Sequence, residues 1–497
     1  MKGSQIRTGA ILSYIAIFLN IAISFFYTPW MIRQIGVSDY GLYCLVGSFI
    51  SYFMLDLGLT QTVQRFLAKY RAEGDELALR NLLGLIIKVF LGVDGVIVLL
   101  LVILYFFLTR IFTGLSAEEI EKFKVLYCIS GTFSVLTFMF KPLGGAIMAF
   151  ELFAETKWID MIHKVGTVVL VCLALFGGAN VYILVLINGG AAFLTSLSKY
   201  IVFKYKTRLK INWSYFDLGK LKEVFSFSMW AFGNGLAQRM RLTLVQSLLG
   251  IFSNSAEISV FALGMTLEAM FYTISSAING LFLPRVSTLS IQHGKNAVEQ
   301  LMVRVGRLQL FLTTLLFTGF IIFGRQFILL WVGEKFLNTY YVLICLTITD
   351  MVTLTQRIAD DYIYVENRIK NSSIRIIICS FIGLIISAIL ASRLGAVGCG
   401  IGTGTGLIIY TFLINYYYQK GLNLDIMKFF TECHIKILPV LIIVFIITWL
   451  VVHSMCLDSW IRLALAIFVY ASIFAIVSYF VLFNSEEKKL VNDLVLR

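Results

Sequence analysis

Residues 81–109 read NLLGLIIKVFLGVDGVIVLLLVILYFFLT, with Lys88 and Asp94 as the only charges. A helix rises ~1.5 Å per residue, so such a run is long enough to cross the ~30 Å hydrocarbon core of a bilayer. Comparable runs, each followed by a short polar turn, recur along the whole chain. Hydropathy places them near 9–32, 41–66, 81–109, 123–147, 158–177, 181–203, 222–250, 257–284, 301–324, 338–365, 372–391, 396–418, 434–454 and 460–483. That makes about fourteen spans, with twelve or thirteen as the alternatives. Of 497 residues, 59% are hydrophobic and 14% charged, and the mean hydropathy is +0.88, far outside the soluble range. The expected fold class is an all-α integral membrane protein.

Basic residues set the orientation, because Lys and Arg are retained on the cytoplasmic side and short loops report this best. One alternate set of loops holds Lys2 and Arg7; Lys69, Arg71 and Arg80; Lys204, Lys206, Arg208, Lys210, Lys220 and Lys222; Arg285 and Lys295; Arg368 and Lys370; Lys420 and Lys428; and Lys488 and Lys489. The other set holds only Arg33, Arg110, Lys122, Arg325, Lys335 and Arg393, with acidic neighbours such as Glu118, Glu119 and Glu121. Both termini are therefore expected in the cytoplasm, which requires an even number of spans. The net charge of +13 follows from a basic inner face against anionic lipid heads and needs no nucleic acid. The eight cysteines are scattered, mostly within spans, in neither metal-site nor disulfide spacing, and read as small apolar filler. The first apolar run is too long for a signal peptide and is expected to stay as the first span.

Several function classes fall away. No loop is long enough for a soluble catalytic domain, and no phosphate-cradling G-x-x-x-x-G-K-[ST] motif is present. The run Gly398, Gly400, Gly402, Gly404, Gly406 lies inside an expected span, where small residues serve close helix packing rather than dinucleotide binding. The four histidines are too separated for a metal cage, and no cofactor is expected.

The longest basic connection, following the sixth span, divides the chain into six and eight helices. The seventh span resembles the first, since Asn20 and Gly36 have the same separation as Asn234 and Gly250. The expected organisation is an N-terminal lobe (1–203), a basic cytoplasmic linker (204–221), a C-terminal lobe (222–418), two additional helices (434–483) and a cytoplasmic tail (484–497). Two six-helix lobes around a central cavity are a transporter plan.

Gly36-Val-Ser-Asp-Tyr-Gly-Leu-Tyr43, followed by Leu55-Asp-Leu-Gly-Leu59 and Gln64-Arg65-Phe66, resembles the first-to-second helix signature of the polysaccharide transporters of the MOP superfamily. These are the Wzx-type oligosaccharide-lipid flippases. Asn254-Ser-Ala-Glu-Ile-Ser-Val-Phe261, Leu283-Pro-Arg285 and Leu330-Trp-Val-Gly-Glu-Lys-Phe336 are similar to the second lobe of that family. The resemblance implies a MATE- and MurJ-like fold in a bacterial plasma membrane. It implies transfer of a polyprenyl-diphosphate-linked oligosaccharide to the outer leaflet for capsule, exopolysaccharide or O-antigen export. Membrane lipids, a polysaccharide polymerase and glycosyltransferases are the implied partners, and a monomer is sufficient.

Charged groups near the bilayer centre cost roughly 2.5–3.5 kcal/mol on insertion scales, so they face a wet cavity or one another. Arg239 and Arg241 follow Asn234 and Gln238 near the middle of the seventh span. Arg239 is expected either to meet the diphosphate, whose oxygens suit a guanidinium fork, or to pair with Glu268. Arg65 either collects the head group or snorkels to the inner surface. Asp350, Arg357 and Asp361 are spaced to stack on one helix face; Arg357 lines the cavity or is neutralised within its own helix. Asn20 joins the cavity candidates. Lys88, Lys141, Arg304 and Arg307 read as surface or inner-end residues. A potential of 100 mV favours outward movement of each negative charge by about 2.3 kcal/mol, while Asp56, Asp94 and Asp350 keep proton or sodium coupling open. The alternatives are a cation-coupled multidrug exporter of the same superfamily and a lipid-linked peptidoglycan-precursor flippase.

Overall fold

The computed structural model describes residues 18, 21–54, 59–209, 211–276, 282–366, 368–453, 457–485 and 487–488. Asn20 and Asp56 lie outside the described residues, as do the side chains of Asn234 and Gln238. The described residues are helical or in short connections, without a strand.

The polar turns of the sequence are where helices are capped, because the first backbone N–H groups of a helix have no partner within it. Asp75 accepts from Ala78 N to start α4 (Glu76–Ile111). Ser116 and Glu119 form a reciprocal capping box on α5 (Ala117–Phe138), which continues through α6 (Pro142–Ala149). α7 (Phe153–Phe176) follows. Asn180 caps α8 (Val181–Thr207), and Asp217 caps α9 (Leu218–Leu242). Ahead of these stand α1 (21–35), α2 (Val37–Ser51) and α3 (Leu59–Glu73). After α9 come α10 (Leu244–Phe252), α11 (Ser255–Ser276), α12 (Leu283–Trp331), α13 (Asn338–Thr347), α14 (Asp350–Thr353), α15 (Arg357–Val365), α16 (Ile369–Gly421), α17 (Ile426–Phe429), α18 (Leu438–His453) and α19 (Trp460–Val477).

Ten segments among the described residues are long and apolar enough to cross a membrane. They coincide with the third to sixth and eighth to fourteenth expected spans, with Ile369–Gly421 carrying both the eleventh and the twelfth. The second and seventh expected spans are each interrupted. One breaks after Ser51; the other breaks at Thr243.

The chain packs as two compact units, 1–259 and 260–497, divided within α11. In the first unit the rings of Phe49, Phe112, Phe123 and Tyr127 form the core of the contact between α2, α4 and α5. In the second, α16 turns at Gly395, whose φ of +53° favours glycine. Its glycines alternate by two, so they divide between two faces. Gly402 and Gly406 meet the backbone at Ser387, Gly383 and Cys379, while Gly404 meets the carbonyl of Cys345 on α13. The glycine run is thus a double packing surface, as small-residue spacing predicts.

The tenth expected span departs from a continuous helix. A 3₁₀ turn, Leu354–Gln356, separates α14 from α15. Three residues at 120° instead of 100° turn α15 by about 60° relative to α14, so Asp350 and Arg357 go from about 20° to about 40° apart and stay on one side of the segment.

Candidate functional site

In the first unit, one carboxylate joins the beginnings of three helices. Glu119, in the first turn of α5, accepts through Oε1 from Ser38 Oγ of α2 at 2.6 Å and from Ser255 Oγ of α11. Its Oε2 accepts from Ser116 N at 2.9 Å. The positive ends of three helix dipoles favour an anion here. Ser259 Oγ donates to Val37 O at 2.6 Å. Gly41 lies directly on the Ser255 backbone, where a Cβ would collide. Beside this staple Lys122 bridges Asp39 at 3.3 Å and Glu118 at 3.2 Å. The turn after α4 adds Gly114 N to Gly250 O at 3.2 Å and Thr113 Oγ1 to Ile251 O at 2.9 Å.

Farther along α2, two helix interruptions of this unit meet. Tyr52, just past the end of α2, donates its hydroxyl to Thr243 O at 2.8 Å and lies 2.6 Å from Ser247 Oγ. Ser48 donates to Gln246 Oε1. Arg239 and Arg241 occupy the last turn of α9, where the carbonyl end of a helix favours cations. Both are half-buried, and Arg239 lies within electrostatic reach of Tyr52. Arg65 is exposed on α3. Asp94 is 8% exposed in α4, and its Oδ1 has no hydrogen-bond partner among the described residues.

In the second unit the polar groups are arranged more locally. Arg357 Nε pairs with Asp361 Oδ1 at 3.3 Å, one turn away. Tyr418 donates to Asp360 at 2.6 Å, and Gln356 and Asn415 exchange amide hydrogen bonds at 2.6 and 3.2 Å. Glu268 and Asp350 are 6% and 5% exposed.

Two lysines and an arginine expected at the surface are engaged instead. Lys141 donates to Met54 O, next to the interruption of the second span, and Lys88 donates to Tyr215 O at 2.9 Å. Arg307 is clamped to Glu487 through Nε at 2.6 Å and Nη2 at 3.0 Å. Its side chain is 12% exposed, that of Glu487 2%. A loop-charge count has no access to partners 87 or 180 residues away. Glu119, Ser38, Ser255 and Tyr52 were likewise absent from the site expected from sequence. Ser38 and Ser255 lie in two of the stretches that carry the family resemblance, and this was the available signal.

The pattern of polysaccharide biosynthesis proteins matches residues 6–291. The chain belongs to that family. No curated protein sequence matches it, but solved structures do. A lipid II flippase, MurJ, in an inward closed conformation aligns with a TM-score of 0.69 and 16% identity, covering 95% of this chain and 98% of that one. An inward-facing multidrug resistance MATE transporter of the MOP superfamily gives 0.62 and 13%, covering 76% and 91%. A mutant of the Vibrio cholerae MATE transporter VcmN gives 0.56 and 15%, covering 85% and 98%. At these identities the likeness is one of fold. This polysaccharide biosynthesis family member is a multi-pass membrane protein that shares their fold.

Proposed function

We propose that this family member is a flippase moving a polyprenyl-diphosphate-linked oligosaccharide from the inner to the outer leaflet by alternating access of two lobes. The family match over 6–291 carries this reading, and two half-buried arginines beside the Thr243 interruption support an anionic head group. Arg239 and Arg241 are the residues assigned to the diphosphate, since guanidinium is weakly hydrated and forks onto phosphate oxygens. Arg357 is less suited, because Asp361 already occupies it.

Positive-inside loops put both termini and the 204–222 connection in the cytoplasm. The Glu119 staple then lies at the outer end, and outward opening requires Ser38 and Glu119 to part from Ser255. An inside-negative potential drives a diphosphate outward, and Asp94 and Asp350 are the carboxylates open to proton or sodium coupling. No bond of the substrate is made or broken.

The test is translocation of a fluorescent polyprenyl-diphosphate oligosaccharide in proteoliposomes, with organic-cation efflux measured in parallel. Lipid flipping that is lost in Arg239→Ala, without cation efflux, is the expected result. Cation efflux without lipid flipping would place the chain with the multidrug exporters.

A further inference from the structure

The connection between α8 and α9 is not a free loop. α8 stops at Arg208, whose φ of +52° closes the helix in the left-handed region. The chain then runs along α4. Asn212 N donates to Arg80 O at 3.2 Å, and Asn212 Nδ2 donates to Asn81 Oδ1 at 2.7 Å. Gly84 leaves room for the Asn212 carbonyl, and Lys88 Nζ reaches Tyr215 O at 2.9 Å. Tyr215 in turn donates to Asp217 at 3.0 Å, the cap of α9. The Asp217 carboxyl is held below the ordinary range by the Lys220 N–H and the Tyr215 hydroxyl that it accepts from.

The same helix gives the depth of this segment. From Lys88 to Arg110 α4 carries one charge, Asp94, over a rise of about 33 Å, which matches a hydrocarbon core of ~30 Å. Lys88 therefore marks the edge of the hydrocarbon. The segment pinned between Arg80 and Lys88 lies in the next ~12 Å, which takes in the head-group layer of roughly 5–8 Å a side.

At that depth the segment turns Asn212 and Tyr215 toward α4 and leaves Trp213, Phe216 and Leu218 at 54%, 60% and 68% exposure. Aromatic residues at the bilayer edge are interfacial anchors. Around them the stretch from Lys204 to Glu223 holds six basic and two acidic residues, with Lys204, Arg208 and Lys222 exposed and Lys206 paired with Glu155 at 3.3 Å.

We infer that residues 211–218 form an interfacial anchor that seats Trp213, Phe216 and Leu218 among inner-leaflet head groups, and that Lys204, Arg208 and Lys222 beside it bind anionic phospholipid. The leaflet rests on the orientation proposed for the flippase; the depth does not. The apolar triad fits the acyl boundary and the excess positive charge fits phosphate, whereas a protein partner explains neither the depth nor the charge.

The test uses the full chain in nanodiscs of phosphatidylcholine with or without phosphatidylglycerol. Spin labels are placed at 213 and at 216, with a control at Glu73, on a chain with its cysteines replaced. Labels at 213 and 216 are expected to collide with oxygen more than with a water-soluble nickel chelate, and the label at 73 to do the reverse. Labels at 213 and 216 as open to the chelate as the one at 73, or shielded from both reagents as under a protein partner, would overturn the anchor. Phosphatidylglycerol retained by the purified chain is expected to fall about five-fold in the combined Lys204→Gln, Arg208→Gln, Lys222→Gln variant; unchanged retention would overturn the lipid assignment. Neither readout involves transport, so the anchor and the flippase reading fail separately.

Discussion

Glu119 in the first unit and Arg357 in the second are both charged groups in spanning helices, yet they are held in opposite ways. Glu119 is bound by residues 81 and 136 positions away, on two other helices. Arg357 is bound four residues along its own helix, so helix and pair move together. A long-range staple reports relative helix movement, whereas a local pair reports only the stability of one turn.

The sharpest test of that difference is to make the staple permanent. Ser38 and Ser255 Oγ are 3.1 Å apart. In a chain otherwise freed of cysteine, Ser38→Cys with Ser255→Cys is expected to lose transport about ten-fold or more on oxidation and to regain it on reduction, because the end proposed as outer then cannot open. Transport that continues at the same rate with the disulfide formed, verified by gel shift, would mean that these helices stay together through the cycle.

A charge pair that is distant in sequence but not expected to part is Arg307–Glu487. Its side chains are nearly buried, so Arg307→Ala leaves a buried carboxylate and is expected to cost about 3 kcal/mol in thermal unfolding. Arg307→Met with Glu487→Leu is expected to recover most of that loss. If the double variant is as unstable as the single one, packing rather than charge dominates there.

Removing the staple comes next in size. Glu119→Ala takes the carboxylate acceptor from the hydroxyls of Ser38 and Ser255, the latter 3% exposed, at a cost of about 1–3 kcal/mol. Glu119→Gln keeps an acceptor and is expected to cost less. Equal losses for the two variants would show that the charge at the three helix ends, not the hydrogen bonds, holds the staple.

The spans were legible in the sequence because hydropathy sums over a whole helix, and runs such as 81–109 leave no other solution. The helix interruptions were not. The 3₁₀ turn at Leu354–Gln356 and the break at Thr243 are local hydrogen-bond events that scarcely change a twenty-residue average. The glycine run was legible because its spacing is itself the packing geometry. Arg239 was legible as a cation within a span, but the bonding of Tyr52 to Thr243 and Ser247 near it was not, since that contact brings together two interruptions that hydropathy does not register. Glu119 was read only as an acidic residue of an outer loop. Its meaning depends on Ser38 and Ser255, whose stretches supplied the family resemblance without revealing that they meet.

The smallest expected effect is at Arg357. Its side chain is 39% exposed and its partner Asp361 3%, so solvent screens one side of the pair and the loss on Arg357→Gln is expected to be about 0.5–1 kcal/mol. A pair confined to one turn does not change partners when helices move, and transport is expected to stay within about two-fold of the native rate. The two readouts separate the roles of this residue. A modest loss of stability with transport preserved makes Arg357 the counter-charge that keeps Asp361 buried. A ten-fold fall in transport at unchanged stability would mean that the guanidinium leaves Asp361 for the substrate, and the contrast with Glu119 would disappear.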